Sequence, residues 1–294
     1  EVNLAAFIEL NYNWAMVASS ANLSSWFRHE EREVRSAVAH NLHETMSRHQ
    51  PGGTGMVCRH EFLQYAQKPS HDFQGLGRWC SWPFFCNPIH STRIVVAYRT
   101  GSGKSKELRT VYQQQLRYMQ LHNITGTPQQ LFDKDLLQQC KRWRESGKRV
   151  IFLMDANDHV LTGWFNRGIT RAGLDLEEFT HKCWGAHPPH THINGSIPID
   201  GGYKSPEIEV LNVCLLPIKN SPGDHRSFII DVSTRSLLGE YRYKVCRPVS
   251  RQLIMSQQGS VDEYNRIVRE QFERHRILER LDAVDLPQLI SNLP

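Results

Sequence analysis

Apolar residues along the chain fall into short runs that predict β-strands. The most pronounced run is residues 150–154, where five consecutive apolar residues lead directly into Asp155 in the segment KRVIFLMDAN. Runs of this length between polar turns are typical of buried strands. The same pattern predicts further strands at residues 3–8, 54–58, 75–82, 92–98, 192–199, 207–216 and 226–232. Trp79 and Trp82 are an odd number of residues apart, so a regular strand would place them on opposite faces.

Apolar residues at helical spacing predict helices between these strands. The helical segments are residues 24–49, 105–122, 128–146, 163–173, 176–184 and 262–283. In the first of them Trp26, Val34, Val38 and Leu42 would share one face. Because many strands follow one another without an intervening helix, we expect a mixed α/β fold with antiparallel pairing.

Polar or ionisable residues follow several of the apolar strands. They are Glu9, Tyr98, Asp155 with Asn157, Asp200, and Asp224 with His225 in the turn SPGDHR. Carboxylates that meet at one edge of a core can bind a hard divalent cation. A histidine beside an aspartate can contact a phosphate or transfer a proton. For Asp155 a structural alternative stays open, namely that it caps a following helix.

The composition limits the class of protein. The chain has 294 residues, 39% hydrophobic and 22% charged, and a net charge of +5. It can build a sizeable core, and its mild positive charge is compatible with a polyanionic ligand. If a polyanion such as DNA binds in a cleft formed by these polar strand ends, we expect basic residues near the mouth of that cleft. Arg78, Arg99 and Arg226 are the candidates. The apolar runs are too short to cross a bilayer, so no membrane association is expected.

The cysteines and the first residues bear on localisation. Seven cysteines occur without a C-x-x-C pair, which is typical of reduced thiols in an intracellular protein, nuclear or cytoplasmic. No signal peptide is recognisable after Glu1, and we expect that residues precede it. The histidines of HPPHTH, residues 187–192, are predicted to lie on a surface loop rather than to bind metal, because prolines interrupt them without helical spacing.

The order and spacing of the polar strand ends resemble the endonuclease/exonuclease/phosphatase family, whose fold is called DNase I-like. The segments QPGGTGMV, GLGRWCSW, AYRTG and GDHR are most similar to the endonuclease domains of non-LTR retrotransposons. The resemblance covers residues 1–240 and leaves residues 241–294 as a C-terminal helical tail or linker. It implies a two-sheet β-sandwich flanked by helices in four layers. It also implies an earlier strand, carrying a metal-binding Asn, that is missing from this sequence.

The resemblance assigns two residues to a metal. Glu9 would bind it, and Asp224 would assist on the same side. The cofactor implied is Mg²⁺ or Mn²⁺.

The resemblance assigns the remaining residues to water and phosphate. Asp155 would orient or deprotonate the attacking water, and Asn157 would hold that water or a phosphate oxygen. Asp200 would pair with His225, which would contact the scissile phosphate. Tyr98 would donate its hydroxyl to the same phosphate.

The resemblance implies a metal-dependent phosphodiesterase, specifically a retroelement-type endonuclease that acts on DNA. It also implies a reverse-transcriptase region downstream in a longer polyprotein. Two alternatives stay open: a phosphatase or lipid phosphodiesterase of the same fold, and a degenerate, non-catalytic relic. The relic is favoured by the missing first strand and by two departures from the family pattern. Thr191 is followed by His192 where Thr-Tyr is usual, and Asn194 precedes Gly195 where Arg is common.

Overall fold

The structure is a computed structural model of the chain. It describes residues 2–18, 21–27, 33–43, 48–87, 90–102, 109–185, 187–239 and 258–282. The chain divides into two compact units, Glu1–Arg242 and Tyr243–Pro294. No helix within the described ranges is both long and apolar enough to cross a lipid bilayer.

The first unit contains a small and a large β-sheet. The small sheet has three antiparallel strands, β1 (Leu4–Ile8), β2 (Val34–Ala39) and β3 (Thr54–Arg59), in the order β1-β3-β2. The large sheet is formed by β4 (Ser70–His71), β5 (Trp79–Asn87), β6 (His90–Tyr98), β7 (Arg149–Asp155), β8 (Glu177–Glu178) and β9 (Asp200–Lys204). Its strand order is β4-β5-β6-β7-β9-β8.

In the described part of this unit, the remaining elements are a hairpin, four α-helices and short 3₁₀ helices. The hairpin pairs β10 (Val210–Leu215) with β11 (Phe228–Val232). The helices are α1 (Val111–Leu121), α2 (Pro128–Glu145), α3 (Trp164–Arg171) and α4 (Thr234–Leu238). The second unit contains α5 (Gln258–Arg274) and α6 (Ile277–Asp282).

Alternating residues of the large sheet supply two separate cores. Trp82, Ile94 and Val96 pack toward the small sheet and the hairpin. Trp79 and Val95 lie in the other core, which includes side chains of α2 and α3. The two tryptophans therefore occupy opposite faces, as the sequence predicts. The prediction of two sheets flanked by helices is also confirmed.

The pairing of β6, β7 and β9 places polar residues at one edge of the large sheet. β6 and β7 are parallel, with α1 and α2 between them in the chain, and Tyr98 lies beside Asp155 in their register. β9 runs antiparallel to β7, so that Asp200 lies beside Asp155 on the other side. Parallel strands end at the same sheet edge. Tyr98, Asp155 and Asp200 therefore form one row across three neighbouring strands.

Three predictions of secondary structure are wrong. Residues 24–49 do not form a long helix, since β2 lies within that range. A spacing of four residues suits one face of a strand as well as one face of a helix. The β-branched side chains of Val34 and Val38 favour the strand. Residues 176–184 form the short strand β8 and a 3₁₀ turn, Lys182–Trp184, instead of a helix. In the predicted strand at residues 192–199, only His192 is bridged to another chain segment.

Candidate active site

A groove of about 1240 Å³ runs between β1 and β11. Among the described residues β1 pairs only with β3, and β11 pairs only with β10, so each strand turns an unpaired edge to the groove. The groove has an apolar floor that includes Ile94, Val96 and Ile151 from the large sheet. Its polar end is lined by Glu9, Asp155, Asp200, Asp224 and His225. Five of the predicted site residues therefore meet at one end of a single groove.

The centre of the site is formed by Asp155, Asp200 and His225. One ligand atom from each lies within 4.8 Å of the others. Asp155 is 3% exposed and Asp200 7% exposed. Burial and the charge of Asp200 raise the pKa of Asp155 well above its ordinary value. Two carboxylates so close repel each other when both are ionised, and a cation relieves that repulsion.

The His225 ring is fixed by Asp200. Its Nδ1 atom lies 2.7 Å from Asp200 Oδ2, which confirms the predicted hydrogen bond. Partial burial lowers the pKa of His225. A hydrogen bond to Asp200 and the negative charges of Asp200, Asp155 and Asp224 outweigh this effect of burial and raise that pKa to about 9. The ring is therefore protonated near neutral pH. Because Nδ1 is held by Asp200, Nε2 is the nitrogen left for a ligand in the groove.

Asn157 orients Asp155 rather than lining the groove itself. Its backbone N–H donates to Asp155 Oδ1 at 2.8 Å, and its side-chain amide donates to Asp155 Oδ2 at 2.9 Å and to the Arg99 carbonyl at 2.8 Å. Asn157 has φ 45°, a left-handed conformation that asparagine tolerates better than most residues. The predicted pair Asp155 and Asn157 is thus a single hydrogen-bonded unit.

Tyr98 and Glu9 form the other flank of the site. Tyr98 is 7% exposed, and burial, together with a hydrogen bond to Glu9 and the charge of Glu9, raises the pKa of its hydroxyl. The Asn157 amide also hydrogen-bonds to that hydroxyl. Tyr98 therefore connects Glu9 to the unit of Asp155 and Asn157.

A tight turn holds Glu9 at the end of β1. Glu9 and Asn11 have φ of 53° and 55°, which costs a non-glycine residue on the order of 1 kcal/mol. The Asn11 N–H donates to the Gly52 carbonyl, and the Gly52 N–H donates to Asn11 Oδ1, both at 2.9 Å. Gly52 has φ 86°, a conformation that glycine adopts without strain. The segment QPGGTGMV therefore supports the backbone that presents Glu9.

Asp224 and His192 lie on the side of His225. Asp224 Oδ2 is 3.4 Å from His192 Nε2, and the rings of His192 and His225 have centroids 4.8 Å apart. The Ile193 N–H donates to the Asp224 carbonyl at 2.8 Å, which ties the two loops together. Glu9 and Asp224 thus contact different members of the site.

Carboxylates dominate this constellation, and they suit a hard divalent cation such as Mg²⁺ or Mn²⁺. Asp155 and Asp200, whose ligand atoms lie within 4.8 Å of each other, are the residues that would hold one, with Glu9 at the same end of the groove. The buried, mutually repelling pair of Asp155 and Asp200 is the observation that calls for a positive charge here.

Comparison with solved structures identifies the fold. The catalytic domain of Xenopus laevis APE2 superposes with a TM-score of 0.54 over 79% of this chain and 84% of that domain, at 11% identity. The 3'-5' exonuclease NExo from Neisseria meningitidis superposes with a TM-score of 0.53 over 78% and 89%, at 10% identity. The chain has the endonuclease/exonuclease/phosphatase fold. The catalytic domain of human Nocturnin agrees, with a TM-score of 0.51 over 79% and 80%, at 15% identity.

Sequence comparison adds nothing to this result. No family model matches the sequence, and no curated protein matches it either. The fold predicted from the polar strand ends is therefore confirmed by structure alone.

Two of the three arginines predicted to lie at the mouth of the groove, Arg78 and Arg99, do not line it. Arg78 is 1% exposed and forms ion pairs with Asp72 at 2.7 Å and Asp135 at 2.8 Å. Arg99 is 6% exposed and paired with Asp133 at 2.8 Å. Both predictions are wrong, because ion pairs with these aspartates hold both arginine side chains inside. Arg226 does line the groove, next to His225.

Sequence reasoning missed Thr191 and His192 as parts of the site. The buried Thr191 hydroxyl accepts hydrogen bonds from the backbone N–H groups of Ile199 and Asp200, both at 3.0 Å, and so sets the start of β9. His192 is bridged to His225 in an antiparallel arrangement. The only signal in the sequence was the departure from the family pattern at these two positions. The bridge between His192 and His225 depends on pairing between residues more than 30 positions apart.

Proposed function

We propose that this protein is a divalent-metal-dependent phosphodiester hydrolase that cuts DNA. The observation that carries the proposal is the convergence of Asp155, Asp200 and His225 at one end of an open groove, with Glu9 and Asp224 beside them. Among proteins of similar structure, NExo from Neisseria is described as a 3' phosphatase bound to product DNA hairpin, and one from Archaeoglobus fulgidus as an AP endonuclease. Both descriptions support phosphate ester chemistry on DNA.

Asp155 takes the proton of the attacking water. A carboxylate with a raised pKa is a stronger base, and its position at the end of a buried strand fixes it more firmly than a loop would. Asn157 holds Asp155 in place through two hydrogen bonds. The protonated His225 donates from Nε2 to a phosphate oxygen, while Asp200 keeps the ring oriented.

The acids at the polar end of the groove form the metal side. Asp155 and Asp200 would hold a divalent cation, Mg²⁺ or Mn²⁺, with Glu9 beside them. When bound, such a cation offsets the negative charge that grows on the phosphate oxygens during in-line attack.

The test is nicking of supercoiled plasmid DNA by the wild-type chain and by Asp155→Asn, in Mg²⁺ and in EDTA. We expect nicking by the wild type in Mg²⁺ alone. Release of p-nitrophenol from p-nitrophenyl phosphate but not from its bis ester, with no nicking, would favour the phosphatase alternative. No turnover of any of the three substrates would favour the non-catalytic alternative.

We further propose that the endonuclease is of the retroelement type. The support for this is the sequence of the segments QPGGTGMV, GLGRWCSW, AYRTG and GDHR. A nick that primes reverse transcription must leave a 3' hydroxyl. Extension of the nicked strand by a reverse transcriptase on an RNA template is the expected result, and a 3' phosphate that blocks extension would contradict it.

A further inference from the structure

Three aromatic rings pack on one another just beyond Glu9. The Tyr12 ring lies 5.4 Å from Trp14 and 5.7 Å from Trp26, and the two tryptophans are 5.6 Å apart, all between centroids. Trp14 is buried, whereas Tyr12 is 38% and Trp26 49% exposed. We call these three residues the aromatic platform. It consists of two half-exposed rings supported by a buried one.

Backbone hydrogen bonds fix the chain segment that joins the aromatic platform to the groove. The Asn13 N–H donates to the Arg48 carbonyl at 2.9 Å, the Gln50 N–H donates to the Asn11 carbonyl at 3.1 Å, and Tyr12 lies opposite His49 between them. Asn11 itself lines the groove beside Glu9. Tyr12 is three residues from Glu9, so the chain keeps their Cα atoms within about 11 Å. That is about three stacked nucleotides at ~3.4 Å each.

The chemistry of this surface differs from that of an aliphatic protein contact. Tyrosine and tryptophan offer flat π faces together with a polar hydroxyl or indole N–H at the edge. The side chain of Arg48, in the segment paired with Asn13, is exposed, and no ion pair joins it to any acid in the described part of the chain. Aromatic faces next to an exposed cation are the combination that binds single-stranded nucleic acid.

We propose that Tyr12 and Trp26 form a stacking subsite for an unpaired nucleobase that flanks the phosphate at the catalytic end of the groove. Arg48 contacts a phosphate of the same strand. The subsite rests on the proposed function and extends it, since it makes locally unpaired DNA the preferred substrate. Stacking is tolerant of base identity, because every base has a π face.

The experiment measures binding separately from cleavage. A fluorescently labelled thymidine oligonucleotide is titrated in EDTA, with anisotropy as the readout, against the wild type, Tyr12→Ala, Trp26→Ala and Trp26→Phe. The matched control is Trp164→Ala, since Trp164 is 59% exposed but the Arg167 guanidinium covers its ring at 4.6 Å. An abasic oligonucleotide of equal length reports phosphate contacts alone.

We expect Tyr12→Ala and Trp26→Ala to weaken binding of the thymidine oligonucleotide about tenfold. Trp26→Phe, which keeps a ring, and Trp164→Ala should bind like the wild type. The wild type should bind the abasic strand about as weakly as Trp26→Ala binds the thymidine strand. Trp26→Ala and the wild type should bind the abasic strand with equal affinity. Melting curves identify any variant that fails to fold. If Trp26→Ala fails, the comparison of Tyr12→Ala with the wild type decides, and the abasic strand tests the wild type directly.

Equal affinity of the wild type and both alanine variants, or equal affinity of the wild type for thymidine and abasic strands, would overturn the subsite. If the wild type and both alanine variants bind the oligonucleotide equally and a protein partner is found instead, the aromatic platform is a protein-binding surface. Plasmid nicking by the same preparations separates the two proposals. Nicking with ring-independent binding refutes the subsite alone, whereas ring-dependent binding without any nicking refutes the hydrolase alone.

Discussion

Asp155 and Asp200 lie directly opposite each other on the antiparallel strands β7 and β9, at the edge where both carboxylates are buried. Like charges opposite each other across a sheet are destabilising. The chain nevertheless places both there, with His225 as the single neighbouring cation among the described residues within hydrogen-bonding distance of Asp200. The pair of carboxylates therefore destabilises the fold at this edge, and it forms a site that a second cation completes.

A divalent cation should stabilise the protein through this pair. At a Mg²⁺ concentration roughly 100 times Kd, binding adds about 2.7 kcal/mol, which raises Tm by about 5 °C or more for a domain of this size. Differential scanning calorimetry with Mg²⁺ and with EDTA measures the shift. Glu9→Gln and Asp155→Asn should each reduce it, while the exposed Glu209→Gln should not. An equal shift in all four proteins would place the metal elsewhere.

The metal-free protein should lose stability at alkaline pH through His225. The pKa of His225 is raised from 6.5 to about 9, so protonation favours the folded state. This contribution is fully present below pH 6.5, the unfolded value, and is lost as pH rises through about 9. In EDTA, denaturant titrations should therefore show the wild type losing free energy of unfolding over this range relative to Asp200→Asn. A constant difference between the two proteins across that range would show that the pair does not titrate as described.

The polar strand ends made most of the fold and site predictable from sequence. Strand termini are set by local hydrophobic runs, so Asp155 could be placed at a strand end before any tertiary contact was known. Asp200 was expected to end a strand at residues 192–199, but it begins β9. Their resemblance to a known order of residues then supplied the two-sheet fold. Glu9, at the end of β1, followed the same rule.

The errors arose where long-range contacts override local pattern. Val34 and Val38 satisfy a helix and a strand equally, and only pairing of β2 with β3 decides between them. Arg78 appeared suited to phosphate contact because no local feature reveals that Asp135, 57 residues away, neutralises it. No local pattern reveals the bridge between His192 and His225 either, because these residues are far apart in the chain.

Removal of Arg78 should severely destabilise the first unit. Its guanidinium donates to both carboxylate oxygens of Asp72 and to Asp135, and all three side chains are buried. Arg78→Met leaves two buried carboxylates unpaired, at a cost of about 3–5 kcal/mol in the free energy of unfolding. Chemical denaturation measures this cost.

Two further variants control this experiment. Adding Asp72→Asn and Asp135→Asn to Arg78→Met should recover part of the loss, because no buried charge then remains. Lys182→Ala breaks an ion pair with Glu177 that is mostly exposed, and should cost less than about 1 kcal/mol. A loss of under about 1 kcal/mol for Arg78→Met would mean that water reaches the two aspartates.

The last prediction separates Asp155 from its neighbour Asp158. The residue that caps α3 is Asp158, whose Oδ2 accepts a hydrogen bond from the Trp164 N–H at 2.6 Å, while Gly163 occupies the N-cap position without a side chain. Asp155 instead accepts from Asn157 and faces Asp200. The two acids, three residues apart, should therefore respond to substitution in opposite ways.

Asp158→Ala should lower the free energy of unfolding by about 1 kcal/mol and leave plasmid nicking within about twofold of the wild type. In EDTA, Asp155→Asn should leave Tm nearly unchanged, because the amide oxygen still accepts from the Asn157 N–H and the repulsion with Asp200 disappears. The same substitution removes the base that activates water, so nicking should fall about a hundredfold or more. Melting and Mg²⁺-dependent nicking are measured on the same preparations of both variants. If Asp155→Asn melts lower but nicks normally, Asp155 is a structural residue and the water must be activated by another group.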